Sequence, residues 1–330
     1  MGKGISKTMK KIFVSRTRLP TLERYNHYLK KIWKSNWLTN NGELIQELEK
    51  KLEKRFGVKN VVCVSSGTAA LMIALKALDI KELYVSPYSF IATVSAPVWM
   101  GIKVHFVDIG KDIPSPSLVT HIYGVPNYTP TGNVVIYDAS HAFATKINGK
   151  SILTYGDCSI ISFNAVKIFQ TIEGGALVTN NDEIAEKARW MRNYGFETQY
   201  SFQGVGVNFK MNEFEAAMGL CSLETVDDTV KKYAKLIERY NKALHLNAKD
   251  VTYYPVFYKS ERAVLRAIKV FEKVGIYPRR YFYPPLNKVF GGEPCPIAED
   301  KMSRVLCLPL YYSLSFKDQD RIIKIAKETL

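Results

Sequence analysis

Lys167 is placed where an amine can do chemistry. It ends the run Ser162-Phe163-Asn164-Ala165-Val166-Lys167, just beyond the apolar stretch Ile160–Phe163, and Glu173-Gly174-Gly175 follows. A lysine beyond an apolar strand can occupy a partly desolvated pocket. Burial then lowers its pKa, so the neutral amine can attack a carbonyl. Taken alone, Lys167 reads first as a solvated surface residue, as most lysines are. Asp138 closes the run Val134–Tyr137, with His141 three residues on. A carboxylate there could hold a heteroaromatic nitrogen in its protonated form; alone it reads first as a helix cap. Ser65-Ser66-Gly67-Thr68-Ala69-Ala70 is a strand-to-helix turn of small residues. Its backbone amides can approach an anion at a helix N-terminus, or it is an ordinary cap. Gly206-Val207-Asn208-Phe209-Lys210-Met211-Asn212 carries polar groups into the next helix.

Seven short apolar runs must position these groups: Val61–Val64, Leu83–Val85, Val104–Val107, Leu118–Tyr123, Val134–Tyr137, Ile160–Phe163 and Ala176–Val178. They are rich in β-branched residues and lack period-two alternation, as strands buried on both faces do. The expectation is an α/β fold with a mostly parallel seven-stranded sheet. The chemical groups fall near the C-terminal ends of predicted strands, the edge at which parallel sheets bind ligands. Helices are expected over Gly42–Phe56, with Gly57 as the stop, and over Thr68–Leu78, Phe90–Met100 and Asp182–Arg192. Another starts at Asn212, where Glu215 completes a capping box. The connections from Val107 to Leu118 and from Tyr123 to Val134 hold only about ten residues each. A crossover with its helix needs about ten to twelve or more, so part of one sheet face needs another cover. Near residue 230 the texture becomes Lys- and Tyr-rich, which places a domain boundary between a large domain, 1–229, and a smaller C-terminal α+β domain, 230–330.

The 330 residues suit about two domains at about 150 residues each. Apolar residues make up 47%, which excludes a disordered chain. There are 46 Lys and Arg against 31 Asp and Glu, a net charge of +15. That charge fits nucleic acid, an anionic membrane or a phosphorylated small molecule, or is drift toward lysine. No helix-turn-helix, RNP or zinc motif supports nucleic acid. No uncharged apolar run reaches the length of a membrane span, and the basic start of the sequence lacks the apolar stretch expected of a signal peptide. The five cysteines are odd in number and without a CxxC pair, so neither a metal site nor a disulfide framework is expected, and a reducing, cytoplasmic setting fits. Met1-Gly2 with Ser6 matches a loose myristoylation pattern, and Asn127-Tyr128-Thr129 is a sequon.

In this order, the motifs resemble the sugar aminotransferases of the DegT/DnrJ/EryC1/StrS family, pyridoxal-phosphate (PLP) enzymes of fold type I. The resemblance runs from about Trp37-Leu38-Thr39 to Asp228, with a second block near the C-terminus. It includes the Ser-Gly-Thr-x-Ala turn at 66–70, the stretch Ser86–Thr93, Asp-x-x-His, Ser-Phe-x-x-x-Lys with Glu-Gly-Gly, and Asn208-Phe209-Lys210-Met211. It implies that Lys167 is the Schiff-base lysine and that Asp138 pairs with the pyridine nitrogen. It places His141 beside the cofactor ring and its 3′-oxygen, and Phe90 stacked on the ring. It implies phosphate contacts from Gly67, Thr68 and Ser162, and from Asn208 of a neighbouring subunit. A homodimer with shared active sites follows. Relatives that dehydrate sugars carry His in place of the lysine, so the resemblance favours transamination, with pyridoxamine phosphate as the alternate form of the cofactor.

The sequence departs from the family in places. Asn164-Ala165-Val166 stands where His-Ala-Thr is frequent. Lys210 replaces a frequent Arg, keeping the charge but losing the bidentate fork. Trp37–Gly42 and Gly275–Pro284 resemble viosamine-type enzymes acting at C4 of dTDP-4-keto-6-deoxyglucose, with glutamate as amino donor. Thr39, Lys210, Arg280 and Tyr281 are the implied substrate contacts. Alternatives are another nucleotide-linked keto sugar (C3, or GDP- or UDP-linked), a cyclitol ketone, or a non-catalytic PLP-binding regulator.

Overall fold

The computed structural model describes residues 10–127 and 134–330. Residues 1–9, with the Met1-Gly2-Ser6 pattern, lie outside the described residues, as do Tyr128 and Thr129 of the sequon. In chain order the first elements are β1 (Ile12–Phe13), α1 (Leu22–Ser35), α2 (Glu43–Phe56), β2 (Asn60–Val64), α3 (Gly67–Ala77), β3 (Glu82–Val85), α4 (Ala92–Trp99), β4 (Lys103–Phe106), β5 (Ser117–Thr120) and β6 (Val135–Asp138). Then follow β7 (Lys146–Ile147), β8 (Lys150–Ser151), β9 (Cys158–Ser162), β10 (Gly175–Thr179), α5 (Asp182–Met191), β11 (Phe196–Thr198), β12 (Ser201–Phe202), α6 (Glu213–Leu223) and α7 (Val226–Leu244). The chain closes with β13 (Tyr254–Phe257), α8 (Glu261–Lys273), β14 (Ile276–Tyr277), α9 (Leu286–Phe290), α10 (Pro296–Arg304), β15 (Val305–Leu308) and α11 (Phe316–Thr329).

All seven predicted strands join one sheet, in the order β2-β10-β9-β6-β5-β3-β4. Only β10 runs antiparallel to its neighbours. β2, β5, β6 and β10 are buried at every position, which is why their sequences do not alternate. One face carries a core with α3, whose sequence GTAALMIALKA is apolar on nearly every side. The other face packs on α2 and α6 through Leu44, Leu48, Leu52, Ala216 and Leu220. Gly57 ends α2 in the left-handed conformation, at φ 68°. Asn212 and Glu215 form the capping box at the start of α6.

Among the described residues, neither the β4–β5 nor the β5–β6 connection holds an α-helix. Ile113, Val119, Val135 and Tyr137 instead form a small cluster of their own, flanked by Tyr84, Val107 and Tyr155. A short 3-10 turn, Ile122–Gly124, replaces the end of the run expected to reach Tyr123 as strand. Tyr123 has φ 57°, and its hydroxyl lies 2.7 Å from that of Tyr88.

α7 runs unbroken through residues 229 and 230, where the division between domains was expected. The C-terminal part pairs β13 with β15 and packs α11 on α7 and α8. The N-terminal strand β1 pairs with β14 of this part, not with the central sheet. No helix among the described residues is long and apolar enough to cross a membrane. All five cysteines are buried and unpaired.

Candidate active site

At the C-terminal edge of the sheet lies a cavity of about 330 Å³. Lys167, Asp138, His141, Gly67, Thr68, Phe90, Ser162 and Tyr281 all line it. Lys167 sits in a tight turn between Phe163 and Phe169, which are both buried and pack edge-on with ring centres 4.8 Å apart. The Lys167 amide donates to Asn164 O at 2.9 Å, and the Phe163 amide donates to Gly174 O at 2.8 Å. The two aromatic anchors therefore fix the loop, and the amine projects into the cavity, 5.8 Å from the centre of the Tyr253 ring. Burial lowers its pKa from 10.5 to about 8, and the Asp138 carboxylate opposes that shift.

Asp138 ends β6 and is buried. Oδ1 accepts from the Ser140 amide at 3.0 Å, while Oδ2 accepts from the Thr93 hydroxyl at 3.3 Å. Thr93 meets Ser89 at 2.7 Å, and Ser89 meets Thr120 at 2.9 Å. This chain of hydroxyls orients the carboxylate, which caps no helix. His141 is buried, with its ring parallel to that of Phe282 at 5.4 Å and edge-on to Tyr253 at 5.0 Å. Burial, with the Lys167 charge, holds its pKa well below the usual histidine range. Its Nδ1 has no hydrogen-bond partner among the described residues.

Ser66 caps α3 by accepting from the Ala69 amide at 3.0 Å. Gly67 opens the helix where a Cβ would stand 2.8 Å from Cβ of Ser162. A Cβ on Gly175 would stand 2.5 Å from the Gly67 nitrogen. The two glycines let three chain segments converge on a cradle at a helix N-terminus, which suits a phosphate. Phe90 is 53% exposed at the rim, edge-on to Phe282 at 5.8 Å. A buried carboxylate, a low-pKa lysine, an orphaned imidazole nitrogen and this cradle fit the chemistry of PLP.

Four implied contacts do not line the cavity. Asn208 is exposed and bridges to Asn193. Lys210 lines a separate polar cavity with Asn40, Asn41 and Arg192, its amine 4.4 Å from the Tyr194 ring centre. Thr39 is half-buried near that second cavity and lines neither. Arg280 turns into the C-terminal part: it donates to Ser303 O at 2.8 Å, pairs with Glu261 at 2.9 Å and lies over the Tyr283 ring at 3.5 Å. Sequence reading gave no role to Tyr253, Phe282, Ser89, Thr93 or Thr120, all of which line the cavity. Ser89, Thr93 and Phe282 stood within matched stretches but were given no role there; Tyr253 carried no local signal. Asp138 and Glu173 border the same cavity as Lys167.

Fold and site together define a PLP-dependent transferase of fold type I. The chain belongs to the DegT/DnrJ/EryC1/StrS aminotransferase family, whose profile matches residues 21–120 and 129–327. It is 34% identical over 367 aligned residues to a dTDP-4-amino-4,6-dideoxy-D-glucose transaminase of Shigella dysenteriae, covering 97% of this chain and 99% of that protein. It is 31% identical to a GDP-perosamine synthase of Escherichia coli O157:H7, covering 87% and 90%. The fold is similar to that of DesI, solved with its TDP-sugar product, at a TM-score of 0.89 and 24% identity, over 96% of this chain and 92% of that one.

Proposed function

We propose that this protein uses PLP to move an amino group from glutamate to a nucleotide-linked keto sugar. The proposed acceptor is C4 of dTDP-4-keto-6-deoxyglucose, giving dTDP-4-amino-4,6-dideoxyglucose. The observation that carries the reading is one cavity holding the Lys167 amine, the Asp138 carboxylate and the α3 N-terminus. The kind of acceptor is supported by relatives named for dTDP-, GDP- and UDP-linked amino sugars.

When bound, PLP supplies an aromatic ring that accepts the electron pair left as a neighbouring C–H bond gives up its proton. Asp138 would hold the pyridine nitrogen and keep it protonated, and Lys167 would carry the cofactor covalently. Gly67, Thr68 and Ser162 would hold the phosphate, Phe90 would flank the ring, and His141 would sit beside the 3′-oxygen. Lys167 Nζ takes the proton from glutamate Cα in one half-reaction and delivers a proton to the sugar C4 in the other. Its lowered pKa keeps a usable fraction of the amine neutral near pH 8. Tyr253, Phe282 and Tyr281 wall the space beside the amine.

Asn208 is exposed on a segment outside its own cavity, which supports a homodimer whose partner completes each site. The unpaired cysteines support a cytoplasmic setting. Incubating the PLP-loaded protein with glutamate and a panel of dTDP-, GDP- and UDP-linked keto sugars tests the reading. The expected result is loss of the visible band of the lysine-bound cofactor with glutamate, and its return with the dTDP-4-keto sugar. A band that glutamate leaves unchanged marks a non-catalytic PLP-binding protein instead.

A further inference from the structure

Glu213, the first residue of α6, is 2% exposed, yet its carboxylate oxygens bond to another helix rather than to its own. That helix is already capped by Asn212 and Glu215. Glu213 reaches instead to the start of α2: Oε2 accepts from the Leu44 amide at 3.0 Å and Oε1 from the Ile45 amide at 3.1 Å. These are first-turn amides of a helix whose N-cap residue, Gly42, has no side chain to offer them. In return, the Glu213 amide, itself an orphan donor of a first turn, donates to Leu38 O at 2.9 Å. Glu213 thus ties the start of α6 both to the start of α2 and to the segment that leads into it. Gly42 has an ordinary φ of −68°, so backbone conformation does not demand glycine. Space does: a Cβ would stand 2.5 Å from Cδ of Glu213.

The segments joined in this way are the two that carry Thr39 and Lys210. The segment 37–42 is also held by Arg192, which donates to Asn41 Oδ1 at 3.0 Å. The 208–212 segment is tied to the cradle, since the Ser65 amide donates to Phe209 O at 2.8 Å and Lys210 bridges to Val64. We propose that Glu213 is a positioning residue that locks segments 37–42 and 208–212 into one unit, setting how Thr39 and Lys210, which lie outside their own chain's cavity, are presented to the nucleotide sugar in the partner subunit's site of the proposed homodimer. Its effect on turnover rests on the function proposed above; the lock itself does not.

Two readouts on the PLP-loaded full chain test this, using Glu213→Gln and Gly42→Ala. Gln replaces one acceptor oxygen by an NH2 group that faces a backbone N–H, and Ala drives a methyl into the carboxylate. In either variant, amide exchange in both segments should rise together by about tenfold or more, while β9 keeps its protection. KM for the nucleotide sugar should rise about tenfold, with kcat and KM for glutamate within about twofold of wild type. Glu213→Asp combined with Gly42→Ala, a shorter acid beside the added methyl, should recover part of both. Unchanged exchange in either segment overturns the lock. Raised exchange with an unchanged KM, in an enzyme whose wild type turns over, overturns the positioning role. If the wild type aminates no nucleotide sugar, the functional reading and the positioning role both fail, and exchange still decides the lock.

Discussion

Asp138 and Lys167 face one cavity, and the carboxylate acts on the lysine's charge: burial draws the amine down to about 8, and Asp138 pulls it part of the way back. Without bound PLP, capture of the aldehyde pyridoxal by the protein should therefore rise with pH around a midpoint near 8, well below the ordinary 10.5. Asp138→Asn removes the opposing charge and should shift that midpoint lower still. The folded chain binds this proton less tightly than the unfolded chain. This group's contribution to stability therefore rises with pH between about 8 and 10.5. Stopped-flow absorbance across pH checks the midpoint; a value near 10.5 would contradict the burial argument.

Lys167→Ala removes the group assigned both to hold the cofactor covalently and to move the proton. The purified variant should lack the visible band of the lysine-bound form and should lose turnover by about 10³-fold or more. Borohydride followed by peptide mapping reads the linkage: a PLP adduct still formed at the same yield in the variant would sink the assignment of Lys167.

At Gly67 the constraint is steric. An added Cβ would meet Cβ of Ser162 at 2.8 Å and its Cα at 3.1 Å, and the backbone atom cannot swing away. Gly67→Ala should push the α3 start off the cradle, at a cost of about 1–3 kcal/mol. PLP retention during dialysis should fall with it. A melting temperature and PLP content equal to wild type would show that the cradle tolerates the methyl.

The seven strands were legible because burial on both faces leaves uninterrupted β-branched runs, as in Val61–Val64 and Val134–Tyr137. The capping box at Asn212 and the stop at Gly57 were legible because their chemistry is local. The antiparallel direction of β10 was not, since Ala176–Val178 looks like any other buried strand. Nor was the pairing of Ile12–Phe13 with Ile276–Tyr277, because so short a strand carries no periodicity. In the site, Lys167 and Asp138 were legible as strand-end residues in ordered motifs. Tyr253 and Phe282 enter from the C-terminal part, where only the tertiary fold brings them to the cavity.

Arg280 illustrates the same limit, because its partners Glu261 and Ser303 lie on other elements. Its guanidinium is shared among Glu261, Ser303 O and the Tyr283 ring, anchoring the segment that presents Tyr281 and Phe282. Arg280→Ala should lower stability by about 1–2 kcal/mol, with KM for the nucleotide sugar within about threefold of wild type. Thermal melts and initial rates check both. An unchanged melt with KM raised more than about tenfold assigns the guanidinium to the substrate diphosphate instead.

Amination of a nucleotide keto sugar leaves a product whose structure distinguishes the proposed function from its alternatives. PLP-loaded protein, glutamate and dTDP-4-keto-6-deoxyglucose are combined, and the isolated product is read by NMR. The expected outcome is amination, seen as a dTDP-sugar with its amino group on C4, formed together with 2-oxoglutarate. Recovery of the keto sugar unchanged, after glutamate has already converted the cofactor, would contradict it.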